Sequence, residues 1–438
     1  MHEDNFATKC TRLAAISVVL ILALVPFHAF LTVWLAGVFG HYTALRLWSL
    51  ALLVIAVVAV KLLFWRDKAL RTELLRSRLT WLIVLYIAVQ FVWGVVALLT
   101  HHVSRKALGY GWIINTRFVL FLLLTWVLAT KTTFLKRHWQ PLIFWPAAVV
   151  IIIGLLQYLV LPYDFLKHFG YASSTIYPFE TINHNIHYIR IMSTLRGANP
   201  LGAYLVVVLS LLLAQLVRLK HNRLWYSLLG LAGMLTLIFS FSRSAWIGLL
   251  LSSLVVLISF YKTDHARRWL IGGSIVVLIA AGAGALVLRH NSTFQDAILH
   301  TDSHSKIAHT SNGDHLSALK TGLHDLSHNP LGDGPGSAGP ASEYNNHPPR
   351  IAENYFVQVA QETGWIGLVI FVAINALLAK LLWQRRQDPL ALGLFAALIG
   401  VTFINLLSHA WTDDTLAFIW WGLAGVALAK QAKSKHAA

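Results

Sequence analysis

Acidic side chains are scarce in this chain: 18 Asp and Glu stand against 35 Lys and Arg in 438 residues. Charged residues of both signs make up only 12% of the sequence, when soluble domains carry roughly 25%. A water-soluble enzyme of this length needs more ionised surface than that, so this class is excluded. Cysteine occurs once, at Cys10, which excludes a disulfide scaffold. Disorder is excluded by the 57% hydrophobic content, since such a chain has ample apolar surface to bury. No internal repeat of 20–50 residues is present, which removes solenoids and propellers. A cleavable signal peptide is not expected, because Met1 to Arg12 is polar and the apolar run after it is too long.

What the chain does have is long hydrophobic runs. Crossing about 30 Å of hydrocarbon takes roughly 20 apolar residues. Twelve such runs are legible: 12–34, 45–65, 79–100, 112–130, 141–162, 200–217, 225–241, 244–260, 269–289, 364–383, 390–408 and 414–430. The fold class expected is therefore an all-α integral membrane protein, one polytopic domain over 1–438 with about twelve spans. Charge placement orients it. With Met1 inside, the inner segments hold 22 Lys and Arg against 6 acids, and the outer ones 11 against 12. Basic residues favour the cytoplasmic side of a membrane, so both termini are expected in the cytoplasm of a cell membrane protein. The same asymmetry absorbs the net charge of +17, and nucleic acid drops out as a partner.

Two outer segments exceed what connection requires, 163–199 and 290–353, the second lying before the tenth span; loops of that length are functional or disordered. The second holds eight histidines, at 290, 300, 304, 309, 315, 324, 328 and 347. His300 and His304 have i, i+4 spacing, but no HExxH or Cys/His array accompanies them, so no metal is expected and a solvated loop is the simpler reading. His184 and His187 in the first loop read the same way. The run Asn329-Pro-Leu-Gly-Asp-Gly-Pro-Gly-Ser-Ala-Gly-Pro340 promises tight turns whose exposed amides suit an anion.

An ionised group within a span costs about 2.5–3.5 kcal/mol on insertion scales, so each asks for a partner or a purpose. Arg117 lies just over a turn inside the outer end of span 4. Arg243 sits in the Ser242-Arg243-Ser244 turn between spans 7 and 8. Arg190 and Arg196 close the first long loop. Several guanidiniums around one space suit a phosphate or diphosphate, because each offers a planar fork of donors and keeps its charge. Snorkelling to lipid headgroups is the plainer alternative. Beyond the glycine-rich run, Asn354, Gln358 and Gln361 follow i, i+4, i+7 and read as the polar stripe of an interfacial helix leading into span 10, with Glu362 beside it. Glu353 at its start is a candidate general base, or else a charge complementing the helix dipole. His347 is a second base candidate.

Taken together, Ser242-Arg243 opening a span, a long outer loop, Asn329-Pro-Leu-Gly-x-Gly-Pro-Gly, Glu353-Asn-x-x-x-Gln and Glu362-x-Gly-Trp-Ile-Gly367 resemble the O-antigen ligase and polymerase superfamily. The motifs span about 190–410 and are short. The resemblance implies a multi-span, metal-independent glycosyltransferase with no cofactor and an outward-facing site. Its partners would be a lipid-linked oligosaccharide donor on undecaprenyl diphosphate, a glycan or glycolipid acceptor, and membrane lipid. It also implies that Arg243 contacts the donor diphosphate, with Arg190 or Arg196 adding to it. One departure stands out: such ligases carry His-Asn-x(9)-Gly-x-x-Gly, and this chain has Glu353-Asn354-x(9)-Gly364-x-x-Gly367. That leaves a polymerase, or a ligase of another surface polymer, as readings. A multi-span transporter or flippase is the alternative from the span count, and a membrane scaffold a further one.

Overall fold

The computed structural model describes residues 2–182, 185–218, 222–260 and 311–429, with isolated positions between 265 and 291. The described chain is mostly helix: α1 (His2–Leu24), α2 (His28–Phe39), α3 (Tyr42–Leu45), α4 (Trp48–Arg66), α5 (Lys68–Leu75), α6 (Arg78–Leu99), α7 (Arg105–Lys131) and α8 (Phe134–Leu159). There follow α9 (Ala198–Arg218), α10 (Arg223–Phe239), α11 (Arg243–Phe260), α12 (Ser311–His328), α13 (Tyr355–Gln384), α14 (Pro389–Asn405) and α15 (Asp414–Leu428). Among the described residues, eight helical stretches are long and apolar enough to cross a membrane, the first being α1 and α2 together from Ala7 to Phe39. The shorter apolar helices α10, α14 and α15 fall where the runs 225–241, 390–408 and 414–430 were expected. The run 269–289 lies outside the described residues.

Several local expectations need correction. The first span is interrupted by a 3-10 turn at Val25–Phe27, because Pro26 has no N–H and its ring clashes with the carbonyl four residues earlier. The carbonyls freed by the break are satisfied from elsewhere in the fold: the Thr415 hydroxyl donates to Val25 O at 2.9 Å, and that of Thr194 to Pro26 O at 2.9 Å. The segment 163–199 is not irregular throughout, since Glu180–Ile182 (β1) and Asn185–Arg190 (β2) form an antiparallel hairpin pairing Glu180 with Arg190. The segment 290–353 contains α12 and a 3-10 turn at Gly339–Tyr344. Among the described side chains of α12, Gly322 and Leu326 are buried and Ala318, Leu319 and Asp325 half-buried, and Gly322 abuts Val357 and Ala352.

Among these eight stretches α7 and α9 are the most buried, and the shorter α15 is buried from Thr415 to Leu428. The most extensive packing joins α7 to α15, both α9 and α11 to α14, and α1 to α4. Small residues allow these approaches, as between membrane helices in general: Gly422 and Gly425 of α15 lie against Phe121 and Thr125 of α7, and Gly248 of α11 lies against Gly400 of α14. Segments that the charge count sets on the inner side meet at one end of the bundle. There Lys131 pairs with Asp67, Lys136 donates to Ala429 O at 2.7 Å, Arg385 donates to Ala427 O, and Arg218 donates to Gln387 at 3.0 Å. The expected outer segments meet at the other end, and that end holds a pocket.

Candidate active site

The pocket is built from parts distant in sequence. α2 supplies His28 and Thr32, the linker after it Tyr42 and Arg46, α7 Tyr110 and Arg117, the loop before α9 Arg196, and the entry to α15 Thr412, Asp413 and Asp414, with Ile176 and Pro340 at its wall. It encloses about 640 Å³ of empty space, part of it open to solvent. Three guanidiniums therefore share one cavity. Arg46 was not foreseen as a member; nothing in its own segment marks it, and only the fold brings it beside Arg117.

Each arginine is held differently. Arg117 is buried and forms an ion pair with Asp414, and it also donates to Thr412 O. Because α7 begins at Arg105 rather than near 112, Arg117 lies twelve residues into its helix, roughly 18 Å along it at 1.5 Å per residue, deeper than the turn or so expected. Asp414 is shared with His28, whose Nε2 lies 3.3 Å away. Arg46 stacks over the Tyr110 ring at 4.6 Å, and Tyr110 meets Tyr344 edge-on at 5.2 Å. Arg196 is exposed and faces Asp413, whose carboxyl is pushed upward by burial and held down in part by Arg196. With His28 neutral, three cations and two carboxylates leave the pocket net positive. It can take a dianionic group only by sharing its arginines between that ligand and the two aspartates.

Arg190 and Arg243 form a second group. Arg190, at the end of β2, donates through Nε to Ser240 O at 3.1 Å and through Nη2 to Asn199 at 2.6 Å, and lies 3.6 Å from Glu180. Arg243, partly exposed at the start of α11, feels the charge of Arg190. The turn before it needs a left-handed residue, Phe241 at φ 51°, and Trp246 donates to Leu237 O at 2.9 Å across it. The four arginines singled out from sequence thus fall into two groups, Arg117 with Arg196 and Arg190 with Arg243.

The glycine-rich run closes on a carboxyl group from the chain itself. The amide of Gly336 donates to Glu362 Oε1 at 2.8 Å, and Asn115 of α7 donates to Oε2 at 2.6 Å. Asn115 also donates to Gln90 of α6 at 3.1 Å. The run was expected to offer exposed amides to an anion; at Gly336 the amide is taken instead by the buried Glu362 side chain. Asp333 N and Gly334 N donate to the Gln361 and Glu362 carbonyls at 2.9 and 2.8 Å. These hydrogen bonds require helix α13 to open, and it does so at Thr363 and Gly364, the latter at φ 63°. A short helix therefore precedes the span, rather than running smoothly into it.

Arg350, overlooked in the sequence, clasps this loop. Its guanidinium bridges Asp333 and Asp325 of α12, the latter at 2.9 Å, and Asp325 also accepts from Gln361 at 2.9 Å. Arg350→Met is expected to lower stability by about 2 kcal/mol, a usual value for hydrogen bonds to charged groups. A drop in melting temperature in detergent would report it; an unchanged melt would show that the clasp carries no stability.

Glu353 and His347 are not brought together. Glu353 sits at φ 51°, just before Asn354, which caps α13 by accepting from Val357 N at 3.1 Å. Its carboxylate is 3.9 Å from His409 Nδ1, on the loop that leads to Asp413. His347 is exposed, with Nδ1 against the Pro348 carbonyl at 3.0 Å. Neither lines the arginine pocket. Of the other histidines, 184, 290, 300, 304 and 309 lie outside the described residues, and no side chain is described for His187 or His315.

A polytopic helical membrane protein with an arginine pocket at one end, Pro340 of the glycine-rich run at its wall, is the class that fold and site define. Residues 228–372, less than half of the chain, match the family model described as O-Antigen ligase, which supports the O-antigen ligase and polymerase superfamily and a glycosyltransferase-like activity in polysaccharide biosynthesis. No curated protein matches it. The match covers Arg243, Glu353 and the glycine-rich run, whereas Arg46, Arg117, Arg196 and Asp413 lie outside it.

Proposed function

We propose that the protein transfers a glycan from an undecaprenyl diphosphate carrier to an acceptor hydroxyl on the extracytoplasmic side of the cell membrane. The observation that carries this reading is the meeting of Arg46, Arg117 and Arg196 in one cavity. A diphosphate is an activated leaving group, and what it needs is stabilisation of the charge that develops as the sugar departs. Arginines aimed at the bridging and terminal oxygens supply that from fixed positions. Arg190, held to Asn199, and Arg243 form a separate cationic group that does not line this cavity. The inward-facing end carries the basic segments and the pocket end the balanced ones, which favours an outward site with cytoplasmic termini. Transfer with inversion follows from a single in-line displacement. The polymerase reading and the ligase reading share this chemistry and differ only in the acceptor. The family match supports an enzyme over the transporter weighed from the span count.

The test is transfer by purified protein from a lipid-linked oligosaccharide. Arg196 is exposed and its removal disturbs no core, so Arg196→Ala should leave the melting temperature unchanged. Its kcat/KM should fall about 10²–10³-fold, the usual effect of losing one donor to a developing anion. Full turnover by Arg196→Ala would overturn the pocket as the diphosphate site. If Arg243→Ala alone abolished transfer, the site would move to the second arginine group. Activity is expected to persist in EDTA.

A further inference from the structure

We propose that Asp413, rather than Glu353, is the carboxylate that takes the proton from the acceptor hydroxyl; this rests on the transferase reading above. Three carboxylates lie on or near the pocket, and geometry separates them. Asp414 is engaged by both Arg117 and His28. Glu353 is off the pocket wall and faces His409. Asp413 lines the cavity with the three arginines and keeps partial exposure to it. One of its oxygens, Oδ1, accepts from Leu416 N at 3.2 Å and caps α15. That bond fixes the carboxylate's orientation and leaves the second oxygen for a ligand.

The step is a single displacement. The acceptor O–H proton passes to the second Asp413 oxygen as the hydroxyl oxygen bonds to the anomeric carbon. The bond between that carbon and the diphosphate oxygen breaks, and its electron pair leaves with the lipid diphosphate, stabilised by the arginines. Asp413 then returns its proton to water. A base in such a position contributes about 10²–10⁴-fold. Burial, which raises the proton affinity of Asp413, suits it to this task.

Asn is as good a helix N-cap as Asp, so Asp413→Asn removes the base and keeps the cap. The expected result is a kcat lowered about 10²–10³-fold, with an unchanged melting temperature and a donor KM within about twofold of the wild type, while Glu353→Gln retains most of its kcat. Asp413→Ser, which can also cap, should behave as Asp413→Asn and serves if that variant fails to accumulate. The proposal is overturned if Asp413→Asn keeps wild-type kcat. It is equally overturned if only the donor KM changes, which would make Asp413 a counter-charge for Arg196, or if Glu353→Gln loses as much kcat. Absence of transfer by the wild-type protein from lipid-linked oligosaccharide would instead remove the transferase reading itself.

Discussion

Arg117→Leu is expected to destabilise the protein by about 3–5 kcal/mol, the cost of breaking a buried ion pair from one side. The side chain is 8% exposed and its partner Asp414 24%, so removing the arginine takes away the nearest cation from a carboxylate that His28, Arg46 and Arg196 then face. The double variant Arg117→Leu/Asp414→Leu should recover most of that loss, because well-packed apolar residues often replace a buried pair at little cost. Thermal melting in detergent reads both effects. Transfer should stay lost in the double variant, since the guanidinium is gone from the pocket. Recovery of stability without recovery of turnover would separate the two duties of Arg117. Full turnover in the double variant would exclude Arg117 from the phosphate site.

The second large effect is expected at Gly336. Its φ of 88° is a left-handed conformation, and a Cβ there would meet the Ala107 carbonyl of α7. Gly336→Ala should cost about 1–3 kcal/mol in backbone strain and about 1–3 kcal/mol in overpacking. Any shift that relieves the clash also pulls the amide away from Glu362, which is 1% exposed. Melting temperature and transfer should fall together, because the same loop carries Pro340 into the pocket wall. Gly109→Ala provides the contrast: Gly109 is helical with open space around it, and alanine there should stabilise by about 0.5–1 kcal/mol. Equal behaviour of the two variants would show that the glycine-rich loop is not held by this glycine.

Much of the scaffold could be read from the chain because hydropathy is a local property. The run 79–100 became Arg78–Leu99 and the run 200–217 became Ala198–Arg218, each within two residues. The break at Pro26 and the turn of helix in 311–328 left signals that went unused, a proline inside an apolar run and an i, i+3, i+7 pattern. The site was legible only in part. Arg117 and Arg196 were picked out because a charge near a membrane needs a reason. Their separation from Arg190 and Arg243, and their company with Arg46, depend on which helix packs beside which. Glu362 reads from sequence as a neighbour of a polar stripe, whereas its buried carboxyl accepts from the glycine-rich loop and from Asn115. Asp414 was invisible as a partner, because the α7–α15 contact that makes the pair is set by Gly422 and Gly425, residues with no charge signal at all.

That pairing has a consequence for how the molecule is made. Arg117 reaches the bilayer early in synthesis, and the aspartate that neutralises it emerges about 300 residues later. At translation rates of about 5–20 residues per second, the arginine spends roughly 15–60 s in the membrane before its counter-ion exists. During that interval the nascent chain must shelter it with water, lipid phosphate or an insertion factor. Chains that stop short of the last helix never leave that condition, and they should be cleared by membrane quality control even though nearly every span has been inserted.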